Sequence, residues 1–572
     1  MKKPALSELS LKEKISQLLM IAQGRLMMTE ELDENGECVR RTAEQIDEIM
    51  EKYQYGSIWT GAGIVDNNIE QEGFDFKYTY SNKGTAQQGS MATYKRYLDR
   101  ITRKVRIPVL AATNAEAGLG GQFSDGTRTV TPLNVGAADD VELTYELYKN
   151  MAMEIRAAGI HWRWCPVIDV GNSLTCGCLR GFGEDHDRVI RHTIAANKGV
   201  NTMKVAGTAK HFPGGNPYNI RDGHCVTTYM TQTEEEWEAL QGIRWRAVIE
   251  SGVDTIMTTH SAWPNMDDET MNGNPIPTSF SKKIVTGLLR EKLGFKGVIV
   301  TDDIKMGGMA TLCSYEEGLI RLINAGHDIL LGVGPYDYEI IEKAVLDGRI
   351  PMERIDESAQ RVLDMKENCG LFDDEPIEVD VEEAKRLTNE ANRKVAEKSI
   401  TMLRDKNKMI PLNKDKIKKV VIVALSNQME DFLDKLEITK EEFEKRGAEV
   451  SIFSNLPLRQ VHLKKMVEEG VDLILYAGQV ASHAPVGLPS LYNDAQKSCW
   501  SAFSIAKEKS IGVSMGWPYL HIHSLQAANT YFNIYGTAPE VQRAFVKALY
   551  GEIPCEGTSP VDTEPKMRMI YC

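Results

Sequence analysis

Short apolar runs recur along the first part of the chain, each followed by a polar segment and then by a stretch with the 3.6-residue spacing of an amphipathic helix. The runs cover residues 15–22 (ISQLLMIA), 56–60 (GSIWT), 107–113 (IPVLAAT), 160–170 (IHWRWCPVIDV), 203–209 (MKVAGTA), 254–258 (DTIMT), 297–300 (GVIV) and 328–331 (DILL). Runs this short, apolar throughout rather than at alternate positions, read as strands buried on both faces, the habit of a parallel sheet. Helical patterns near residues 91–104 and 142–158 supply crossovers. So many strand and helix units within about 370 residues predict an α/β fold closed into a (β/α) barrel. An open doubly wound sheet is the alternative, and no G-x-G-x-x-G opens a helix after the first strands, which weakens its dinucleotide-binding form.

Residues 373–390 (DDEPIEVDVEEAKRLTNE) are acidic, start as a connector and become helical, which marks a domain boundary. Beyond it, apolar runs at 420–424, 450–453, 473–477, 511–515 and 530–534 again alternate with helical stretches. The expected organisation is a barrel over 1–372, a linker over 373–398 and a second α/β domain of six strands over 399–572.

Composition narrows the partners. The chain has 572 residues, 42% hydrophobic and 26% charged, with a formal net charge of -14, so no basic field offers itself to nucleic acid or an anionic membrane. The chain opens with two lysines, Lys2 and Lys3, but its first 24 residues hold no unbroken apolar core, and no window reaches the roughly 18 apolar residues that span a bilayer. A cytoplasmic location is expected. Ten scattered cysteines in so large a chain indicate a reducing compartment, and Cys176-Gly-Cys178 lacks the second Cys/His pair of a zinc site. No cofactor or metal is expected.

The candidate chemistry concentrates in residues 210–228, KHFPGGNPYNIRDGHCVTT, a Gly/Pro-rich loop that crowds Lys210, His211, Arg221, Asp222 and His224. In Asp222-Gly223-His224, positions i and i+2 of an extended segment face the same way, so the carboxylate can hold one imidazole nitrogen while the other works. Polar residues that follow the predicted strands gather at one rim of a barrel. They are Asn114 and Glu116, Asp169, Arg180 and Glu184, Lys210 and His211, Thr259 and His260, and Asp302 and Asp303. Such a mixture of hydrogen-bonding and charged groups suits a polyhydroxylated ligand. Asp302 and Asp303 end the run GFKGVIVTDD; one can act as nucleophile, base or metal ligand while the other caps the following turn, and attack is assigned to Asp302.

These motifs carry a resemblance. KHFPG followed by D-x-H, RGFGED at 180–185, PTSFS at 277–281, LGFKGVIVTDD at 293–303 and KVAEKSITMLRDKNKMIPL at 394–412 together resemble glycoside hydrolase family 3, most closely its exo-β-N-acetylglucosaminidase branch. The resemblance implies a (β/α)8 barrel followed by an α/β sandwich, and retaining hydrolysis of small carbohydrate glycosides from the non-reducing end. It also implies that Asp302 is the nucleophile, that His224 oriented by Asp222 is the acid/base, and that Asn114, Arg180, Lys210 and His211 bind the terminal sugar. Members acting as β-glucosidases draw a Glu acid/base from the second domain, whereas residues 477–493 (AGQVASHAPVGLPSLYN) contain neither Glu nor Asp, which favours His224. Two departures stand out: Asn114 where the family has Asp, and a histidine loop one residue longer. A β-glucosidase, a phosphorolytic variant and a non-catalytic sugar-binding protein are the competing readings.

Overall fold

Each of the eight apolar runs overlaps a strand in the computed structural model, which describes residues 2–34, 38–60, 65–66, 76–77, 89–169, 178–215, 221, 223–310, 312–454, 460–480 and 489–563. They are β1 (Leu19–Ala22), β2 (Ser57–Thr60), β3 (Leu110–Thr113), β4 (Trp162–Arg163), β5 (Ala206–Phe212), β6 (Thr255–Thr258), β7 (Val298–Thr301) and β8 (Leu330–Val333). Each strand pairs in parallel with its neighbour in sequence, and β1 pairs with β8. A parallel bridge between Val300 and Ile329, with Thr301 N–H donating to the Ile329 carbonyl at 3.1 Å, completes the ring. The barrel, not the open sheet, is the fold.

The interior explains the uninterrupted apolar runs. Met20, Leu110, Trp162, Met257, Val300 and Leu331 point into one core, which Val362 and Met365 of helix Met352–Asn368 join. A side chain the size of Trp162 removes roughly 150–250 Å² from water, on the order of 4–6 kcal/mol of burial free energy.

Three boundaries differ from the sequence reading, each for a local reason. Residues 15–17 end a helix, Leu11–Gln17, because Ser10 and Glu13 form a capping box that starts it one turn earlier. The run 160–170 gives only two laddered residues, since Pro166 has no N–H to contribute. Lys210 and His211 belong to β5 rather than to the loop, their strand continuing beside β6 through the pairs Met257 with Lys210 and Thr258 with Phe212.

The chain divides into two compact units: Met1–Arg128, Tyr145–Asp169 and Thr193–Thr388 form the first, and Thr129–Thr144, Val170–His192 and Asn389–Cys572 the second. The second unit is built on a six-stranded sheet of β9 (Thr401–Asp405), β10 (Lys419–Ser426), β11 (Glu449–Ser454), β12 (Leu473–Gln479), β13 (Ser510–Ser514) and β14 (Thr530–Asn533). The order is β9-β14-β13-β12-β10-β11, parallel except for the antiparallel edge strand β9. Among the described residues no helix is long and apolar enough to cross a membrane.

Candidate active site

Because all eight barrel strands run the same way, the residues at their C-terminal ends share one rim. Asn114 follows β3, Asp169 lies beyond β4, Lys210 and His211 sit in the last half of β5, Thr259 and His260 follow β6, and Asp302 follows β7. Lys210 is buried; its Nζ lies 2.9 Å from Glu116 Oε1 and donates to Asn114 Oδ1 at 3.3 Å. His211 is fixed twice by one carboxylate: its backbone N–H donates to Asp169 Oδ1 at 3.1 Å, and its Nδ1 bonds Asp169 Oδ2 at 2.7 Å. That bond assigns the proton to Nδ1 and turns Nε2 toward Asp302, whose Oδ2 is 3.9 Å away.

The base of this segment is equally fixed. Thr233 and Glu236 form a capping box that opens helix Glu234–Trp237, and the helical run continues to Glu250. Two indoles on that run, Trp237 and Trp245, donate to the Pro213 carbonyl at 2.8 and 3.0 Å. Phe212 packs edge-on against Trp245 at 5.0 Å between centroids. The KHFPG segment therefore leaves the strand with its direction set by aromatic packing and two hydrogen bonds.

Burial pushes the Asp302 carboxyl up, but the charges of His211, His260 and Lys210, together with the Asp303 N–H that donates to Asp302 Oδ1 at 2.8 Å, outweigh it. Asp302 is left below the ordinary carboxylate value and is ionised at neutral pH. Asp303 goes the other way, raised by burial and by its neighbour, and its Oδ1 accepts the Lys305 N–H at 2.9 Å in the turn it caps. His260 is buried between Ser279 Oγ at 2.8 Å and the Asp303 carbonyl at 3.1 Å, and burial pushes its imidazole down. The two carboxyls are thereby shifted in opposite directions by their surroundings.

His224 is exposed on the turn 223–225. Its carbonyl accepts the Gly307 N–H at 2.9 Å, and Thr227 Oγ1 donates to the Gly308 carbonyl at 3.0 Å. Two backbones meet here: a Cβ on Gly307 would stand 2.2 Å from the Cys225 carbonyl oxygen, so only glycine permits the approach. The turn bearing His224 is thus fastened to the chain five residues beyond Asp302.

The structure brings Asn114, Lys210, His211 and Asp302 together and ties the His224 turn to the same rim. Asp222 lies outside the described residues. Arg180 ends the short 3-10 turn Cys178–Arg180 and Glu184 follows it, both in the second unit.

Two working parts of the rim had no role from the sequence. Asp169 is the partner that orients His211. Arg244, buried, donates to the carbonyls of Ile168 and Asp169 at 3.1 and 3.2 Å and so holds the turn on which that carboxylate rides. An arginine inside an otherwise packed helical face is the signal that points to it.

Among the described residues no group of three or more His, Cys, Asp or Glu is arranged to hold a metal ion. A cavity of about 480 Å³ opens at the other end of β5, β6 and β7, beside helix Met352–Asn368, and none of the rim residues lines it. Chemistry rather than volume locates the site.

A family model described as the glycosyl hydrolase family 3 N terminal domain matches residues 10–365. A beta-N-acetylglucosaminidase/beta-glucosidase of Cellulomonas fimi is 26% identical over 488 residues, which cover 80% of this chain and 84% of that one. A beta-hexosaminidase of Vibrio cholerae is 32% identical over 234 residues, 40% of this chain and 68% of that one. Among solved structures, a beta-glucoside phosphorylase superposes with a TM-score of 0.79 at 25% identity, covering 98% of this chain and 95% of its own. A family 3 beta-N-acetylglucosaminidase of Paenibacillus sp. gives 0.74 at 22% identity over 97% and 99%, a likeness of fold. With that family model spanning most of the barrel, the chain belongs to glycosyl hydrolase family 3 and is a glycoside hydrolase.

Proposed function

We propose that the protein is a retaining exo-glycosidase that removes terminal non-reducing β-N-acetylglucosamine. The observation that carries this reading is the pairing of an ionised strand-end carboxylate, Asp302, with an imidazole-bearing turn bonded to the same segment. In the first step an Asp302 oxygen bonds to the anomeric carbon while the His224 imidazolium gives its proton to the departing glycosidic oxygen. In the second, the imidazole takes a proton from water, whose oxygen displaces the carboxylate and regenerates the ion. Asp222 orients His224 in this scheme. Asn114, Lys210, His211 and Arg180 hold the sugar's hydroxyls within the catalytic barrel of 1–372, which the linker 373–398 joins to the second domain of 399–572. The hexosaminidase and N-acetylglucosaminidase names of the relatives support the choice of sugar.

A phosphorolytic reaction is the second reading, favoured by the likeness to the phosphorylase. In it a phosphate oxygen, instead of water, displaces Asp302 and leaves as the sugar 1-phosphate. A neutral imidazole adds no negative charge to repel that anion.

The test is a panel of nitrophenyl β-glycosides of N-acetylglucosamine, N-acetylgalactosamine, glucose and xylose, with and without phosphate, on the wild type and on Asp302→Ala. The expected result is fastest release from N-acetylglucosamine, unaltered by phosphate and abolished in Asp302→Ala while the variant still binds the sugar. Preference for glucose with a sugar 1-phosphate product supports the second reading instead. Near-normal turnover by Asp302→Ala refutes the assignment of the nucleophile.

A further inference from the structure

The turn after β3 is held from the neighbouring strand at three consecutive carbonyls. Cys165 Sγ donates to the Asn114 carbonyl at 3.0 Å, Arg163 Nε to the Ala115 carbonyl at 3.0 Å, and Arg163 Nη2 to the Glu116 carbonyl at 3.5 Å. Arg163 is fully buried and its guanidinium lies 4.6 Å over the ring of Tyr148. Among the described residues no carboxylate pairs with it. Burying an unpaired guanidinium costs several kcal/mol before compensation; Nη1 is buried without a hydrogen-bond partner, and the bonds that Nε and Nη2 make to one rim turn mark what the side chain is there to hold. The turn itself is strained: Ala115 sits at φ +41°, in the left-handed region that alanine rarely adopts. With that residue so held, the side chains on either side of it, Asn114 and Glu116, both reach Lys210 Nζ.

The polarity of the Asn114 amide follows. An ammonium only donates, so the group facing Lys210 is the amide oxygen, and Nδ2 with its two hydrogens is turned away. Nδ2 has no partner among the described residues, and Asn114 is half-buried at the rim. The acceptors of this corner, Asn114 Oδ1 and Glu116 Oε1, are already engaged by Lys210. We propose that Arg163, with Cys165, is a positioning residue that fixes Asn114 as a donor-only contact, so that the terminal sugar's hydroxyl at this corner is recognised as a hydrogen-bond acceptor. The inference rests on the proposed contact between Asn114 and the terminal sugar.

Nitrophenyl β-glycosides carrying fluorine or hydrogen in place of the 3-, 4- or 6-hydroxyl separate the two polarities, because fluorine accepts but cannot donate. With the wild type, one position should keep about tenfold more kcat/KM with fluorine than with hydrogen, the size of one hydrogen bond. Arg163→Met should flatten that ratio to within twofold and raise KM, with kcat changed less than KM. Arg163→Lys, which keeps the charge and one of the two Arg163 donations, should fall between. Cys165→Ala removes a carbonyl contact without burying a new charge, and it stands in if Arg163→Met does not fold; it should lower the ratio by about threefold. A wild-type ratio near one at every position overturns the donor-only contact. If Asn114→Ala flattens the ratio but Arg163→Met and Cys165→Ala leave it intact, the positioning role is overturned and the sugar contact stands. If Asn114→Ala itself changes neither KM nor the ratio, the contact fails, and this inference with it.

Discussion

The sharpest test of how the proposed acid/base, His224, is delivered is a single methyl group at Gly307. A Cβ there would stand 2.2 Å from the Cys225 carbonyl oxygen and 2.7 Å from its carbon. An ordinary carbon–oxygen contact is about 3.3 Å, so the deficit is about 1 Å. The opposing atoms are backbone and cannot rotate away, which leaves the turn 223–226 to retreat, stretching or breaking the 2.9 Å bond from Gly307 N–H to the His224 carbonyl. A catalytic group displaced by 1 Å costs on the order of 100-fold in rate. Gly307→Ala should therefore lower kcat/KM about 100-fold for alkyl β-N-acetylglucosaminides, whose leaving oxygen needs a proton. Dinitrophenyl glycosides need little protonation and should lose less than fivefold. Steady-state kinetics on both substrates, with His224→Ala measured alongside, decides the matter. An equal loss on both substrates, or none, refutes the positional argument provided His224→Ala itself shows the leaving-group dependence.

Two further predictions concern groups on either side of the barrel. Asp169→Asn replaces one of the two oxygens that hold His211 with a donor, so ring and backbone N–H cannot both be accepted; kcat/KM should fall roughly 10- to 100-fold, the worth of a charge-assisted hydrogen bond, with little change in melting temperature. Lys366 is buried and, among the described residues, donates to Gln17 Oε1 alone, at 2.6 Å, and burial pushes its amine down to about 7. Its folded value lies below its unfolded one, so between about pH 7 and 10.5 the unfolded chain holds a proton that the folded chain lacks, and stability rises with pH by about 1.4 kcal/mol per unit. Lys366→Met should be more stable than the wild type at pH 7, by a few kcal/mol at most, and the gap should close as pH rises toward 10; a gap independent of pH in paired thermal melts excludes the linkage.

How far the sequence carries depends on the kind of contact. The barrel strands were legible because each is buried on both faces, which leaves an uninterrupted apolar run, and their parallel order follows once helices fill the gaps. Asp302 and Lys210 were legible as charged residues at strand ends. The pairing of His211 with Asp169 was not, because nothing local across a separation of 42 residues tells which carboxylate reaches which imidazole. Arg163 stood in plain view inside HWRWC, a charge in an apolar run, yet what it binds is set by the register of β4 against β3. The grouping of residues 129–144 and 170–192 with the C-terminal unit is likewise carried by contacts distant in sequence, such as Thr131 Oγ1 with the Tyr535 carbonyl at 3.1 Å.

The rim turns are fastened by different kinds of contact. Strands are registered by their ladders, but a turn leaving a strand loses ladder partners for its carbonyls, and a guanidinium fork is suited to replace two of them at once. Arg163 does this for the turn of Asn114 and Glu116, and Arg244 for the turn of Asp169, each from a buried position. Groups that bind a sugar or orient an imidazole gain from being held to a few tenths of an ångström, because a site assembled before substrate arrives spends no binding energy on ordering itself. The His224 turn is held to the segment after Asp302 by the Gly307 N–H and the Thr227 hydroxyl, among other contacts, and His224 is exposed. On the proposed mechanism, the turn that would bind the sugar and the turn that would carry the proton donor are held by separate contacts, so the two can be perturbed separately, at Arg163 and at Gly307.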